Sequence, residues 1–290
     1  MTEPARREDL EARSGSATAL LRTVVGAVLR PIGGWMSAAG AVALMSALDV
    51  PAATARSSLA RLCARGVLVR EPRDGVAGYA LDPAAVPMLE RGDLRIFGER
   101  TAADADRWCL VSFSFPEHQR SRRHQLRTRL AALGCGTVAD GLWIGPASLE
   151  PELAESVREF GAELFVGARP AAELRASLSR WYDLDGIRAV HETFLDRFAP
   201  SASRLPADPR DAFALWVRVL DEWRVIPYRD PGLPAAGLPD DWPGAASRAL
   251  FARLRDALQE PAVGYAARLA AGGHPLPGPT VESVASPMRE

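Results

Sequence analysis

Four side chains spaced along Pro51 to Arg65 pose the first chemical question: Thr54, Arg56, Ser57 and Arg61. On a helix they point, with Ala53, Ala60 and Ala64, away from Ala55, Leu59 and Leu62, which share one narrow face at i, i+4 and i+7. Short residues and forked cations on an outward face suit a helix in a DNA major groove, where arginine bonds guanine bidentately or reaches phosphate. The same wheel fits any solvated amphipathic helix, so its neighbours must decide. Arg70 and Arg73 follow at positions from which a hairpin wing touches phosphate or the minor groove. A second basic group, Arg120, Arg122, Arg123, Arg127 and Arg129 with His118 and His124, occupies residues 117–133. Planar guanidinium groups suit phosphate, although arginine stems along the rim of a packed helix give the same pattern. Trp143, Trp181, Tyr182, Trp223, Tyr228 and Trp242, with Arg224 beside Trp223, either line a ligand pocket or fill cores.

The elements that must carry these residues follow from periodicity. Ser16 is placed to cap a first helix bearing Leu20, Leu21, Val24, Val25, Val28 and Leu29, which ends near Pro31 and Gly33-Gly34. A second helix runs from about Ser37 to Leu48, and after a short Asp49-Val50 connection the third spans Pro51 to Arg65, closed by Gly66. Val67 to Arg70 and Gly78 to Leu81 then read as paired strands around a polar turn. Three helices followed by a hairpin is the winged helix-turn-helix order, and it assigns recognition to the third helix. Between Ser14 and Asp82 seven arginines face four acids, a local +3 in a chain whose total is −1.

A connector helix, with a break expected at Gly92, leads to a strand at Trp108 to Phe115, a helix from Glu117 to Leu133, and strands at Gly136–Val138 and Leu142–Ile144. A helix at Glu150–Phe160 and a strand at Ala162–Val166 follow. That β-α-β-β-α-β order is ferredoxin-like. Helices are expected at 172–181, 185–198, 208–223 and 243–269, the last kinked at Pro261, with an ordered strap from Pro227 to Pro243. The expected fold is therefore α+β multidomain. Residues 1–15 form a tail, 16–84 the winged helix-turn-helix domain and 85–104 the connector. The ferredoxin-like domain occupies 105–170, a helical C-terminal domain 171–272, and a disordered tail 273–290.

At 290 residues and 48% hydrophobic content the chain is a globular protein with several cores. No stretch reads as a membrane span or a signal peptide, so a cytoplasmic protein is expected. All 35 basic residues are arginine, a compositional habit that is not in itself a nucleic-acid signal. Cys63, Cys109 and Cys135 have no metal-ligand spacing and read as buried small hydrophobes; no metal or cofactor is expected. His191 and His274 show no partner spacing for a metal site or a triad. Glu222 and Asp230 read as structural ion-pair members pinning the strap.

Several segments resemble the PaaX family of bacterial transcriptional repressors over about Ser14 to Leu269. They are Ala-Arg-Ser-Ser-Leu-Ala-Arg-Leu-Cys-Ala-Arg-Gly at 55–66, Arg-His-Gln-Leu-Arg-Thr-Arg-Leu-Ala-Ala-Leu-Gly at 123–134 and Gly-Leu-Trp-Ile at 141–144. Trp-Tyr-Asp-Leu at 181–184 and Glu-Trp-Arg-Val-Ile-Pro-Tyr-Arg-Asp-Pro-Gly-Leu-Pro at 222–234 complete the set. The resemblance implies a middle domain similar to the Cas2 nuclease fold, a homodimer on an inverted-repeat double-stranded DNA operator, and release by an aryl-CoA thioester such as phenylacetyl-CoA. If such an effector binds, the chemistry of the residues points to Arg123 and Arg127 for its phosphates and to Trp143, Trp181, Tyr182, Trp223 and Arg224 for its remaining contacts, the alternative being rim arginines and core packing. The competing readings are a Cas2-like nuclease or other hydrolase, and a regulator that binds DNA only when liganded. A nuclease needs a carboxylate near the end of the first strand of that domain, where the chain has Ser112-Phe113-Ser114-Phe115-Pro116.

Overall fold

A computed structural model describes residues 14–98, 107–170 and 172–270. The expected terminal tails and the end of the connector lie mostly outside these residues. The described chain divides into two compact units. One unit takes residues 14–91 together with 204–221 and 253–270; the other takes 92–203 with 222–252.

In the first unit, helix α1 (Ala17–Val24) starts at Ser16, whose side chain accepts the Ala19 N–H, and runs on as a π-helical turn to Leu29. A three-residue strand, β1 (Trp35–Ser37), precedes α2 (Ala38–Ser46), which Ser37 caps through the Gly40 N–H at 2.9 Å. After a turn in which Asp49 takes a left-handed φ of 62°, α3 (Ala52–Ala64) follows, with Pro51 at its cap position and Gly66 (φ 66°) just beyond its end. Strands β2 (Leu68–Arg70) and β3 (Gly78–Leu81) pair antiparallel, and β1 adds to the free edge of β3. The hairpin closes through reciprocal Arg73–Val76 backbone bonds over Asp74 (φ 49°) and Gly75 (φ 79°), the doubly left-handed conformation that Asp-Gly favours. Gly78 leaves room for the Trp35 ring, which would lie 2.4 Å from a Cβ there.

Strand β1 has no counterpart among the sequence expectations, because three residues are too few to show a period. Its three residues are all buried.

The second unit begins within α4 (Val86–Phe97), which passes Gly92 without a break. Its four-stranded antiparallel sheet has the order β5-β6-β4-β7, from β4 (Trp108–Ser112), β5 (Gly136–Ala139), β6 (Leu142–Pro146) and β7 (Glu163–Ala168). Helices α5 (Arg120–Ala132) and α6 (Glu150–Phe160) connect them in β-α-β-β-α-β order. Strand β4 ends at Ser112, short of the expected Phe115, and Phe113 bonds Gly141 across the turn instead.

Adjacent residues of β6 point to opposite faces and so serve two cores. Trp143 packs with Leu126, Leu130, Leu149 and Leu153 on the α5/α6 side, while Ile144 packs with Trp108, Leu178 and Tyr182 on the other. That second face is covered by α7 (Leu174–Trp181), α8 (Leu184–Ser203) and the segment 226–243. Helix α9 (Pro209–Trp223) and helix α11 (Gly244–Ala270) complete the chain, with the short α10 (Ile226–Arg229) between them. Pro261 lies inside α11 without interrupting it.

Candidate nucleic-acid interface and the basic helix of the second unit

Helix α3 buries Ala55, Ser58, Leu59 and Leu62, and leaves Thr54, Arg56, Ser57 and Arg61 exposed on its outer side. The wheel drawn from sequence is therefore realised, with Ser58 added to the buried face. The buried hydroxyl of Ser58 lies 3.2 Å from Thr18 Oγ1 of α1, and the Arg61 guanidinium donates to the same oxygen at 3.2 Å. Ser57 Oγ donates back to Ala53 O. Among the described residues no acid pairs with Arg56. This face thus presents an unpaired cation, a second cation on one exposed hydroxyl bond, and small residues between them.

The hairpin places Arg70 exposed at the end of β2. Arg73 is only partly exposed: its Nε donates to Glu71 at 2.7 Å and its guanidinium sits 5.4 Å over the Trp35 ring. Of the two hairpin arginines, Arg70 is free to reach outward, and Arg73 must first exchange its acid partner.

The residues assigned to an effector are all in the second unit, and they do not converge. On α5, Arg120, Arg123, His124 and Arg127 recur at i, i+3, i+4 and i+7 and share one stripe beside the buried Leu126 and Leu130. Arg123 reaches Glu117 at 3.4 Å and Arg127 reaches Asp140 at 3.1 Å, both pairs well solvated. Arg122 and Arg129 lie on the other rim and are committed to α6, Arg122 through the Glu159 and Phe160 carbonyls and Arg129 through Glu159 at 2.6 Å. Trp143 is buried beneath α5 in one core. Trp181 packs edge-on to Trp108 against the core of the opposite face, where Tyr182 donates its hydroxyl to Ile144 O at 3.0 Å. Trp223 stacks on Phe251 at 4.4 Å and 8°, with its Nε1 bonded to Ile96 O, and Arg224 beside it is half-buried. The structure does not bring Trp143, Trp181, Tyr182 and Trp223 together with the arginines of α5. These aromatics are used as core and strap packing at three separate places, because burying a large ring outweighs leaving it to line a cavity.

Two clusters in this unit escaped the sequence reading. Arg95 of α4 is 6% exposed and bonds Leu133 O, Pro227 O at 3.3 Å and Glu152 at 3.4 Å, while its guanidinium lies 4.3 Å over the Tyr228 ring. Burial pulls its pKa below the usual arginine value, with Tyr228 and Glu152 opposing that shift. His191 has partners after all: Nε2 is 3.0 Å from Asp230 Oδ2 and Nδ1 is 2.6 Å from Ser247 Oγ. Burial works against ionisation of Asp230, but the His191 bond and the N–H groups of Leu233 and Gly232 outweigh it and hold the carboxyl below its usual range.

Serine, histidine and aspartate in one chain of bonds evoke acyl-transfer chemistry, yet Ser247 is 0% and His191 1% exposed, so no substrate carbonyl reaches the hydroxyl. The trio fastens segment 226–243 to α8 and α11, together with Arg188 on Asp241 at 2.8 Å and Arg175 on Leu238 O at 2.8 Å. Asp230 is thus a structural acid, as its place in the strap suggested. Glu222 likewise pairs with Arg197.

The thiols differ from one another. Cys109 and Cys135 are buried, which pushes their pKa values up to about 11 and about 12, whereas Cys63 is only partly buried. No helix among the described residues is long and apolar enough to cross a membrane.

Comparison with known proteins gives consistent matches along the chain. Residues 16–84 match the family model of PaaX-like proteins, residues 101–178 that of the PaaX protein central Cas2-like domain, and residues 182–268 that of the PaaX-like protein C-terminal domain. The chain is 25% identical over 280 residues to the transcriptional repressor PaaX of Escherichia coli (strain K12), covering 91% of this chain and 88% of that protein. Among solved structures it is similar to the uncharacterized protein Rv0674 from Mycobacterium tuberculosis, with a TM-score of 0.57 and 25% identity over 87% of this chain and 99% of that one.

Proposed function

Because the chain belongs to the PaaX family through three successive segments, we propose that it is a transcriptional repressor of the PaaX type, not an enzyme, that reads double-stranded DNA through α3. The observation that carries this reading is the outer face of α3: Thr54, Arg56, Ser57 and Arg61 exposed on a helix whose inner face is fully buried. The helix follows a short turn and precedes an arginine-bearing hairpin, an arrangement that fits a winged helix-turn-helix. In this mechanism Arg56 and Arg61 contact guanine edges or phosphates, Thr54 and Ser57 allow close approach and add hydroxyl bonds, and Arg70 takes phosphate beside the groove. Arg73 joins from the wing once Glu71 releases it.

The finer reading is a homodimer on an inverted repeat, released by an aryl-CoA-like effector of phenylacetyl-CoA type. The α5 stripe supports an anionic ligand there, since Arg123 and Arg127 hold only solvated acids that a diphosphate can displace. The aromatic part of an effector site is sought elsewhere than at Trp143, whose ring is committed to a core.

The test is DNA binding by purified protein, using the duplex it enriches from a randomised library, with Arg56→Ala and Arg61→Ala alongside. Each substitution is expected to cost about 1–3 kcal/mol of binding, with a salt slope reduced by about one where a phosphate contact is lost. Retention of full affinity by both variants would remove α3 from the interface. Adding phenylacetyl-CoA separates release from co-activation, because the mobility shift either disappears or appears only with the ligand.

A further inference from the structure

The turn that joins α2 to α3 is held from a distant part of the chain. Arg218 of α9 donates through Nη2 to Leu48 O at 3.1 Å and to Asp49 Oδ2 at 2.8 Å, on the one residue of this turn with a left-handed backbone. One helical turn further along α9, buried Asp221 accepts from the Gly15 N–H at 2.7 Å and from Thr23 Oγ1 at 2.9 Å, fixing both ends of α1. Helix α1 in turn holds α3, through Thr18 against Ser58 and Arg61.

We infer that Arg218 is a positioning residue for DNA recognition: α9 sets the angle of the reading helix from both the turn and α1, without touching DNA itself. The inference rests on the reading of α3 as the DNA-contacting helix.

The geometry makes small errors costly. Helix α3 has 13 residues and so is roughly 20 Å long, and pivoting it by about 5° at the turn displaces its far end by nearly 2 Å. That exceeds the tolerance of a hydrogen bond to a base edge, though not that of a loose electrostatic contact with phosphate. Freeing the turn therefore lowers the population of the reading-competent arrangement and weakens sequence-specific binding in proportion, while non-specific binding is spared. The clamp is one solvated ion pair and one carbonyl bond, so the loss is modest, on the order of fivefold.

The experiment uses the full chain with two fluorescent duplexes, the one enriched by the wild type from a randomised library and a scrambled duplex of equal length. For Arg218→Ala the expected result is a loss of about fivefold on the selected duplex, no change beyond about 1.5-fold on the scrambled one, and an unaltered salt slope. Asp49→Asn sharpens the test. Removing an acid near the interface strengthens binding to both duplexes if charge alone matters, whereas the clamp, which keeps its Leu48 carbonyl bond, predicts a selective loss smaller than that of Arg218→Ala and a double variant no weaker than Arg218→Ala alone.

Arg218→Lys, which keeps the charge and one bond, restores part of the affinity. Equal losses on both duplexes, a salt slope reduced by one, or a change below twofold despite confirmed folding would each overturn the positioning role. If the wild type enriches no sequence at all, it is the reading of α3 that fails, and the positioning role falls with it.

Discussion

Arg95 offers the most exposed prediction, because a buried cation has so much to lose. Its guanidinium ties together α4, the end of α5 at Leu133, α6 through Glu152, and the strap at Pro227 and Tyr228. Arg95→Met keeps the volume of the stem but removes five donors and the charge.

Two buried carbonyls then lose a partner, at roughly 1–3 kcal/mol each, and the stacking on Tyr228 forfeits about 1–2 kcal/mol. Against this, the native protein no longer has to desolvate an arginine, which returns several kcal/mol. The net expectation is a loss of about 3 kcal/mol, within the range seen when one member of a buried ionic cluster is removed. Arg95→Lys recovers little of it, since a single ammonium neither forks to two carbonyls nor stacks.

Urea denaturation of the full chain, followed separately by tryptophan fluorescence and far-UV circular dichroism, reads the effect and reveals whether one transition or two are involved. A midpoint shift equivalent to less than about 1 kcal/mol, or a lysine variant as stable as the wild type, would refute the account of Arg95 as a fourfold tie.

The Asp230 carboxyl is held below its usual range, so its contribution to stability is present above the unfolded pKa of about 4 and is lost as pH falls through the lower folded value. Asp230→Asn should lower stability at neutral pH and flatten the acid limb of a stability-against-pH curve; an acid limb unchanged in the variant would show that Asp230 is not the group responsible. With Cys109 and Cys135 buried and their pKa values at about 11 and about 12, a disulfide reagent at pH 8 is expected to label Cys63 first, and the other two only on unfolding. Three thiols reacting at one rate in the native protein would contradict that burial.

The parts of the structure legible in the sequence are those set by local chemistry. Ser16 caps the first helix because a hydroxyl satisfies an orphan N–H, and Gly66 ends α3 because it tolerates a positive φ; the polar turn expected between the hairpin strands closes over Asp74 and Gly75, both in the left-handed region. The inner face of α3 follows from a 3.6-residue period for the same reason. What resisted reading depends on distant partners. Trp35–Ser37 is a strand only because β3 offers it an edge, and Gly78 makes space for a ring more than forty residues earlier in the chain. Arg95 stood in a connector whose composition gave no hint that three other elements would close over it.

The aromatic residues were ambiguous for a further reason, which bears on how the proposed effector should be sought. Trp143, Trp181, Tyr182 and Trp223 carry the chemistry of an aryl pocket in their side chains, but side-chain type does not distinguish a ring that stacks on a ligand from one that stacks on Trp108 or Phe251. Polar commitment does distinguish them. Tyr182 has spent its hydroxyl on Ile144 O and Trp223 its N–H on Ile96 O, whereas the α5 stripe keeps Arg120, Arg123 and Arg127 on or near the surface with only solvated acids opposite two of them. A phosphate-bearing effector should therefore be detected first at its anionic end. Charge reversal at Arg123 and Arg127 should abolish the thermal shift produced by a coenzyme A ester while leaving the duplex affinity of the unliganded protein within about twofold, and an unchanged shift would move the effector away from α5 altogether.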